Sequence, residues 1–239
     1  MKNFGRYIIN QDGVSIEQRR GTENIDLNDY LVLVQSPIEQ VGQAFIQMGL
    51  VDLWERDVYA REIELTNKRS FILFQFQRHP WTIIQSSNFF PHTIWLKDEY
   101  ALLTSIWLHT KAIYYQVSDV CGHTGYHLYN CGESTERLYF EAKDFEEEMD
   151  ANSSMRENEY RSEEGIYQFR SQLRQIKAED IQNVARNAYD FTNQFLREQD
   201  AYAPGISWIS DFGVGQKVTV RVLGLERNDF ERMDYIALI

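Results

Sequence analysis

The stretch Tyr30-Leu31-Val32-Leu33-Val34-Gln35-Ser36-Pro37-Ile38-Glu39 decides the fold class. Its first six residues are β-rich and nearly all apolar, which reads as a strand buried on both faces. Ser36-Pro37 then changes the period. A serine can cap the free N–H groups of a helix, proline suits the first turn, and Glu39 completes a capping box. Ile38, Val41, Phe45 and Met48 follow at spacings of three and four on one helix face, and Gly49 ends the helix. A buried strand feeding an amphipathic helix requires a sheet with helices laid against it.

Downstream, Asp52–Ala60, Glu62–Leu65 and Ser70–Gln77 read as strands, with Asn67-Lys68 as the turn between the last two. Ile72, Phe74 and Phe76 share one strand face by period two. Trp81–Gln85 is a further strand. After a long loop over 86–96, a helix is expected from Asp98 to His109, with Tyr100, Leu103, Trp107 and Thr110 facing one way. Ala112–Val117, Tyr126–Asn130 and Glu136–Phe140 are three more strands. The order strand, helix, run of strands therefore recurs, although identity between the halves is weak.

The expected fold is α+β: a largely antiparallel twisted sheet with helices packed on one face, built as two fused βαβββ-like units over 29–142. A C-terminal helix and strand pair follow, all within a single domain, 1–239. Tyr7-Ile8-Ile9 is a short strand, and Gly165–Arg170 another. Lys177–Glu198 is the longest helix, with Ile181, Val184, Ala185, Ala188, Phe191 and Phe195 as its apolar stripe. Val218–Leu223 and Tyr235–Leu238 are expected to close the fold as a pair joined by the charged turn Glu226–Asp234.

Composition narrows the class of protein. The 239 residues include 33 aromatics, too many for a disordered chain. No run approaches the ~18 apolar residues of a membrane span. The start, Met1-Lys2-Asn3-Phe4-Gly5-Arg6, leads into no apolar signal segment, so a cytoplasmic location is expected. Two cysteines do not make a disulfide framework. The net charge of −12 argues against a nucleic-acid duplex as partner, because such binding draws its affinity from Lys and Arg on phosphates. The charge is also concentrated. Residues 141–164 hold ten acids and three bases, a local net of −7. Within this run, 143–164 reads as an acidic mobile loop.

Few places carry chemistry. Cys121-Gly122-His123-Thr124-Gly125-Tyr126-His127-Leu128-Tyr129-Asn130-Cys131 puts two thiols and two imidazoles within eleven residues. With a register centred on Thr124, Cys121 faces His127 and Asp119 faces Tyr129. Cys121, His123, His127 and Cys131 are the candidate metal ligands, and Cys121, His127 and Asp119 the candidate catalytic residues. The spacing matches no established finger pattern, and an ordinary hairpin with two buried thiols and two surface imidazoles is the simpler reading. In the loop Asn88-Phe89-Phe90-Pro91-His92-Thr93-Ile94-Trp95, three aromatics are unusual for a surface segment. The loop either folds over the core or offers Phe89, Phe90, His92 and Trp95 as a contact patch.

Glu133/Glu136 and Asp52/Glu55/Asp57 are paired carboxylates; Glu55 and Asp57 alternate with Trp54 and Val58, so a half-exposed strand accounts for those two. Phe212-Gly213-Val214-Gly215-Gln216-Lys217 precedes a strand rather than a helix, so it is a turn and not a phosphate cradle. There is no P-loop, G-x-S-x-G or H-E-x-x-H motif, and no cofactor is expected.

These observations favour a non-enzymatic binding or regulatory protein, with a protein partner that the acidic charge would select as basic. Partner neutralisation is one form such a role takes. The compositional style is shared by small bacterial proteins, toxin-neutralising ones among them, an analogy that establishes no function. The alternative is a metal- or thiol-dependent hydrolase built on the Cys121/His123/His127/Cys131 hairpin. A homo-oligomeric structural subunit is the third reading.

Overall fold

A computed structural model of the chain describes residues 13–23, 28–64, 69–86, 96–118, 122–142, 159–161, 165–184, 188–206, 208–212, 217–222 and 224–239. In chain order it holds strands β1 (Gly21–Thr22) and β2 (Asn28–Val34), helix α1 (Ile38–Gln47), and strands β3 (Val51–Glu55), β4 (Glu62–Glu64), β5 (Ser70–Phe76) and β6 (Thr82–Gln85). Helix α2 (Asp98–Leu108) leads to β7 (Lys111–Ser118), β8 (His123–Asn130), β9 (Glu133–Ala142), β10 (Glu159–Arg161) and β11 (Gly165–Ser171). Helices α3 (Ile181–Val184) and α4 (Ala188–Glu198) precede β12 (Tyr202–Ala203), β13 (Trp208–Phe212), β14 (Lys217–Val222) and β15 (Phe230–Leu238).

The main sheet has ten strands among the described residues, in the order β10-β11-β9-β8-β7-β2-β6-β5-β15-β3, and every neighbouring pair is antiparallel. β2 lies near its centre, between β6 and β7, with Val32 opposite both Ile84 and Tyr114. Leu31, Val32, Leu33 and Val34 have no exposed surface, as a run apolar on both faces demands. The expected α+β class with a largely antiparallel sheet and packed helices is what the chain forms.

The helices, however, cover both faces rather than one. On one side α1 and α2 bury Ile38, Val41, Phe45 and Ala101 against Val32, Val34, Phe71, Leu73, Ile84 and Ile236. On the other, Ile181 of α3 and Phe191, Phe195 and Leu196 of α4 pack with Leu31, Leu33, Tyr126, Leu128 and Phe169. A small sheet, β13-β14-β4, completes this second layer through Ile63, Val218, Val220 and Val222. A central strand apolar on both sides needs two layers of cover, and one helical layer would leave half of it in water.

Other differences have local causes. Ser36 does not cap α1. Its hydroxyl donates to Gln40 Oε1 at 2.8 Å, while the buried Gln75 side chain, reaching up from β5, accepts the Ile38 N–H at 3.1 Å. On α2 the buried positions are Ala101, Thr104 and Ser105, whereas Trp107, expected in the stripe, is exposed. Small residues let this helix approach the sheet closely. The Thr104 hydroxyl returns to the Tyr100 carbonyl, so it carries no unsatisfied polar group inward. Between Lys177 and Glu198 the structure has a 3₁₀ turn at Ala178–Asp180, then α3 and α4, with Val184 exposed and Ala185 outside the described residues.

The expected pairing of the last two strands does not occur: β14 pairs with β13 and β4, and β15 with β5 and β3. β14 alternates exposed Lys217 and Arg221 with buried valines, the pattern of a one-sided strand. β15 is buried continuously from Met233 to Leu238 and belongs inside the main sheet.

The βαβββ order does recur along the chain, but not in space. The strand after α1 goes to the sheet's edge beside β15, and the strand after α2 slots in beside β2. Most of the acidic stretch 143–164, Tyr7-Ile8-Ile9 and the turn Asn67-Lys68 lie outside the described residues. Glu159–Arg161, within the expected mobile loop, form β10 instead. No helix among the described residues is long and apolar enough to cross a membrane.

Gln75 also donates to the His79 carbonyl at 2.8 Å. Gln75→Leu strands a buried N–H and a buried carbonyl, and is expected to lower the unfolding free energy by about 1–3 kcal/mol. Urea denaturation would show a lower midpoint at unchanged slope. His79 itself is buried and bonded to the Ile16 carbonyl at 2.7 Å. Burial pushes its pKa below the ordinary imidazole value, with the Arg20 charge acting in the same direction and Asp200 and Glu17 against it. The native state then binds fewer protons than the unfolded one. This contribution to stability is present above about pH 6.5 and is lost as pH falls through the lowered native value. Thermal unfolding followed from pH 7.5 to 5 should show a shallower decline in His79→Phe than in the parent.

Candidate functional site

Beyond α2 the main sheet continues as a wing of β7, β8, β9, β11 and β10. Its apolar face carries Tyr115, Tyr126, Leu128, Leu138 and Phe169, which pack beneath α4. Tyr126 stacks on Phe195 with ring centroids 3.6 Å apart. Period two sends a different set to the opposite face. These are Tyr114 and Gln116 from β7, His123, Gly125, His127 and Tyr129 from β8, Arg137, Tyr139 and Glu141 from β9, and Gln168 from β11. The registers Tyr114↔His127↔Arg137 and Gln116↔Gly125↔Tyr139↔Gln168 lay these side chains out as rows.

This face dips into a hollow of about 410 Å³ whose lining includes Asp98, Tyr114, Gln116, His127, Arg137, Tyr139, Glu141, Glu159 and Gln168. Gly125 lets β8 and β9 approach closely. A methyl group there would run into the Leu138 carbonyl oxygen of the neighbouring strand.

The hollow's phenols are hydrogen-bond donors at neutral pH. Burial raises the pKa of Tyr114, and burial together with the neighbouring Glu141 pushes that of Tyr139 up to about 12. At its edge, burial pushes His123 below the ordinary imidazole value against the opposing charge of Glu141, so its ring is neutral. Its Nε2 lies 3.0 Å from the Tyr30 hydroxyl. The carboxylates Asp98, Glu141 and Glu159 outnumber the single guanidinium of Arg137 in the lining.

At the rim, the first residue of α2 meets β8 and β9. Asp98 Oδ2 lies 2.9 Å from His127 Nδ1, and His127 Nε2 lies 2.7 Å from the Ser134 hydroxyl. Tyr129 donates its hydroxyl to the same Asp98 oxygen at 2.8 Å. A carboxylate in the first turn of a helix is favoured by the helix dipole, which explains why the acid sits here. An ionised carboxylate only accepts, so an Nδ1 that faces it carries a proton, and in the tautomer with that proton alone Nε2 presents its lone pair to Ser134. Ser134 reaches this place through a β-bulge: the register slips between Leu128 and Tyr129, so that Tyr129 opposes Ser134 while Leu128 opposes Glu136.

The Cys/His hairpin is not arranged as its spacing suggests. β7 and β8 pair as Ser118↔His123 and Tyr114↔His127, a register different from one centred on Thr124. His127 therefore opposes Tyr114 rather than Cys121, and Tyr129 opposes Ala112 rather than Asp119. The polar–apolar alternation of Ala112–Val117 against Gly125–Tyr129 sets this register, and a centre on Thr124 would break it. Cys121 and Asp119 lie outside the described residues, as do Phe89, Phe90, His92 and Trp95.

Cys131 is an exposed free thiol at the far turn, with φ of 50°. His123 and His127 share a face of β8 but have separate partners, Tyr30 for one and Asp98 and Ser134 for the other. Among the described residues, no group of three or more His, Cys, Asp or Glu side chains is placed to hold a metal. Glu136 turns to the opposite face. It is buried there with Tyr126 at 2.6 Å and Arg174 at 2.8 Å, a structural ion pair away from Glu133.

Asp98 and Ser134 were not legible as site residues. Asp98 reads as one of two acids starting a helix, and Ser134 is brought to His127 only by the bulge. No protein family, no curated protein and no solved structure matches the chain. The site is thus defined by its own geometry.

Gly125→Val would press on the backbone of β9. The expected loss is about 1–3 kcal/mol of stability, as for other overpacked sites, read as a lower melting temperature in calorimetry.

Proposed function

We propose that the chain is a binding or regulatory protein whose contact surface is the hollow on the β7–β8–β9–β11 face, and that its partner is a protein presenting a basic side chain. The observation that carries this reading is the lining itself. Neutral phenols beside the Glu141 carboxylate suit a Lys or Arg that can lie on an aromatic face while its charge meets that carboxylate, whereas Asp98 is engaged by His127 and Tyr129 and Glu159 by Arg161. The acidic tract supports the same choice. Ala142 closes β9 and Glu159 opens β10, so the chain enters and leaves the segment 143–158 at the edge of this wing. The sequence of 143–158 is strongly acidic, and concentrated negative charge raises the encounter rate with a positive partner.

The test is affinity capture from the native host at low and high salt, using the parent chain, Tyr139→Ala, Glu141→Gln and a deletion of residues 144–158. The parent should retain a basic protein that Tyr139→Ala and Glu141→Gln lose, and whose capture the deletion weakens most at low salt. An unchanged set of retained proteins across all four would remove the hollow and the tract from any binding role. Of the hydrolase alternatives, one observation favours a variant that uses neither metal nor thiol: the hydrogen-bonded chain Asp98–His127–Ser134.

A further inference from the structure

We propose that Asp98, His127 and Ser134 form a nucleophilic relay able to cleave a carboxylic ester, with Ser134 as the attacking group. Three contacts in one line carry the proposal: carboxylate to Nδ1 at 2.9 Å, Nε2 to hydroxyl at 2.7 Å, and a second donor, Tyr129, holding the same carboxylate oxygen at 2.8 Å. Such relays are recognised by geometry and roles rather than by sequence motif, and this one meets the geometric requirement in each pair.

Four further features fit the use. His127 is nearly buried and its ring packs on Tyr129 with centroids 4.0 Å apart, so the base is held in one orientation. Ser134 is exposed, so a substrate can reach the nucleophile. It is also displaced by a bulge, a device that re-aims a single side chain out of the regular ladder. Arg137, the register partner of His127 on the same face, offers a positive charge for the oxyanion.

The chemistry balances with water alone. Ser134 Oγ bonds to the ester carbonyl carbon as its proton passes to His127 Nε2, and the Asp98 carboxylate stabilises the imidazolium. The tetrahedral oxyanion collapses, the carbon–oxygen bond to the leaving alcohol breaks, and that oxygen takes the proton from Nε2. Water then adds to the acyl-serine, giving its proton to Nε2. Ser134 Oγ leaves with that proton, and the carboxylic acid is released. The relay shares Asp98, His127 and Arg137 with the lining of the hollow, but a partner seated there needs no reaction and the relay needs no partner.

The experiment is labelling of the intact chain with a fluorophosphonate, followed by mass spectrometry and peptide mapping. Expected is one adduct per chain, on Ser134, forming at least about 100-fold faster than in His127→Gln, as the loss of a general base implies. Asp98→Asn should slow labelling at least about tenfold, because the amide no longer enforces the required tautomer. Ser134→Ala should abolish the adduct while the chain remains folded, with an unchanged circular dichroism spectrum. Ser134→Cys should move reactivity to iodoacetamide, with the same dependence on Asp98. No adduct on the parent, an adduct elsewhere than Ser134, or a labelling rate unaffected by Asp98→Asn would each overturn the proposal. None of these results bears on affinity capture by Tyr139→Ala, so the two readings fail separately.

Discussion

Burial of β2 on both faces is the condition on which the rest of the structure depends. Four consecutive residues, Leu31 to Val34, lose all contact with water, and each neighbour in the sheet must then contribute apolar side chains both above and below. That requirement recruits α1 and α2 to one side and α4 with the small sheet to the other. It also dictates how polar groups near the centre are treated, since a buried donor or acceptor without a partner is costly. Gln75 caps α1 from within the sheet, and Thr82 donates to the Ser36 carbonyl at 2.7 Å. Asp234, completely buried in β15, accepts from the Trp54 indole, the Asp57 amide and Arg232. Burial pushes the Asp234 carboxyl up, and these donors oppose the shift.

Away from β2 the cover becomes one-sided, and the character of the sheet changes with it. Under α4 the wing is as apolar as the centre, whereas its other face carries tyrosines, histidines, glutamines and acids in ordered rows. The two kinds of polar residue in the molecule are therefore separated by place. Those on the covered face, such as Glu136 with Arg174 and Tyr126, are consumed by internal partners. Those on the wing remain turned toward the hollow or toward one another. Asp98 stands at the boundary, on the last helix to cover this face, and its carboxylate is shared between β8's histidine and tyrosine.

The class of fold was legible from Tyr30–Glu39 because a change of hydrophobic period is a local signal and β2 obeys it. The second layer of helices was not. The alternation of Val218, Val220 and Val222 says that a strand has one buried face, but not which of two sheets supplies the burial. The stripe assigned to α2 failed for a related reason. Periodicity was weighted toward large side chains, and this helix seats itself by Ala101, Thr104 and Ser105. In the site, His127 was legible as a candidate but its partners were not. The assumed hairpin register missed the pairing of His127 with Tyr114, and a bulge, invisible in composition, brings Ser134 to the imidazole.

β15 has a bearing on how the molecule comes to be folded. It lies between β5 and β3, and the Trp54 indole bonds to an aspartate 180 positions further along the chain. During synthesis, β5 can assemble with β6 and β2 long before residues 230–238 exist, leaving an open edge of Phe71, Leu73 and other apolar side chains. Pairings this remote close slowly, and an unfilled edge is a template for another chain. The interval before β15 arrives is thus when the nascent protein is most prone to self-association, and β3 can take its place in the sheet only after that interval ends.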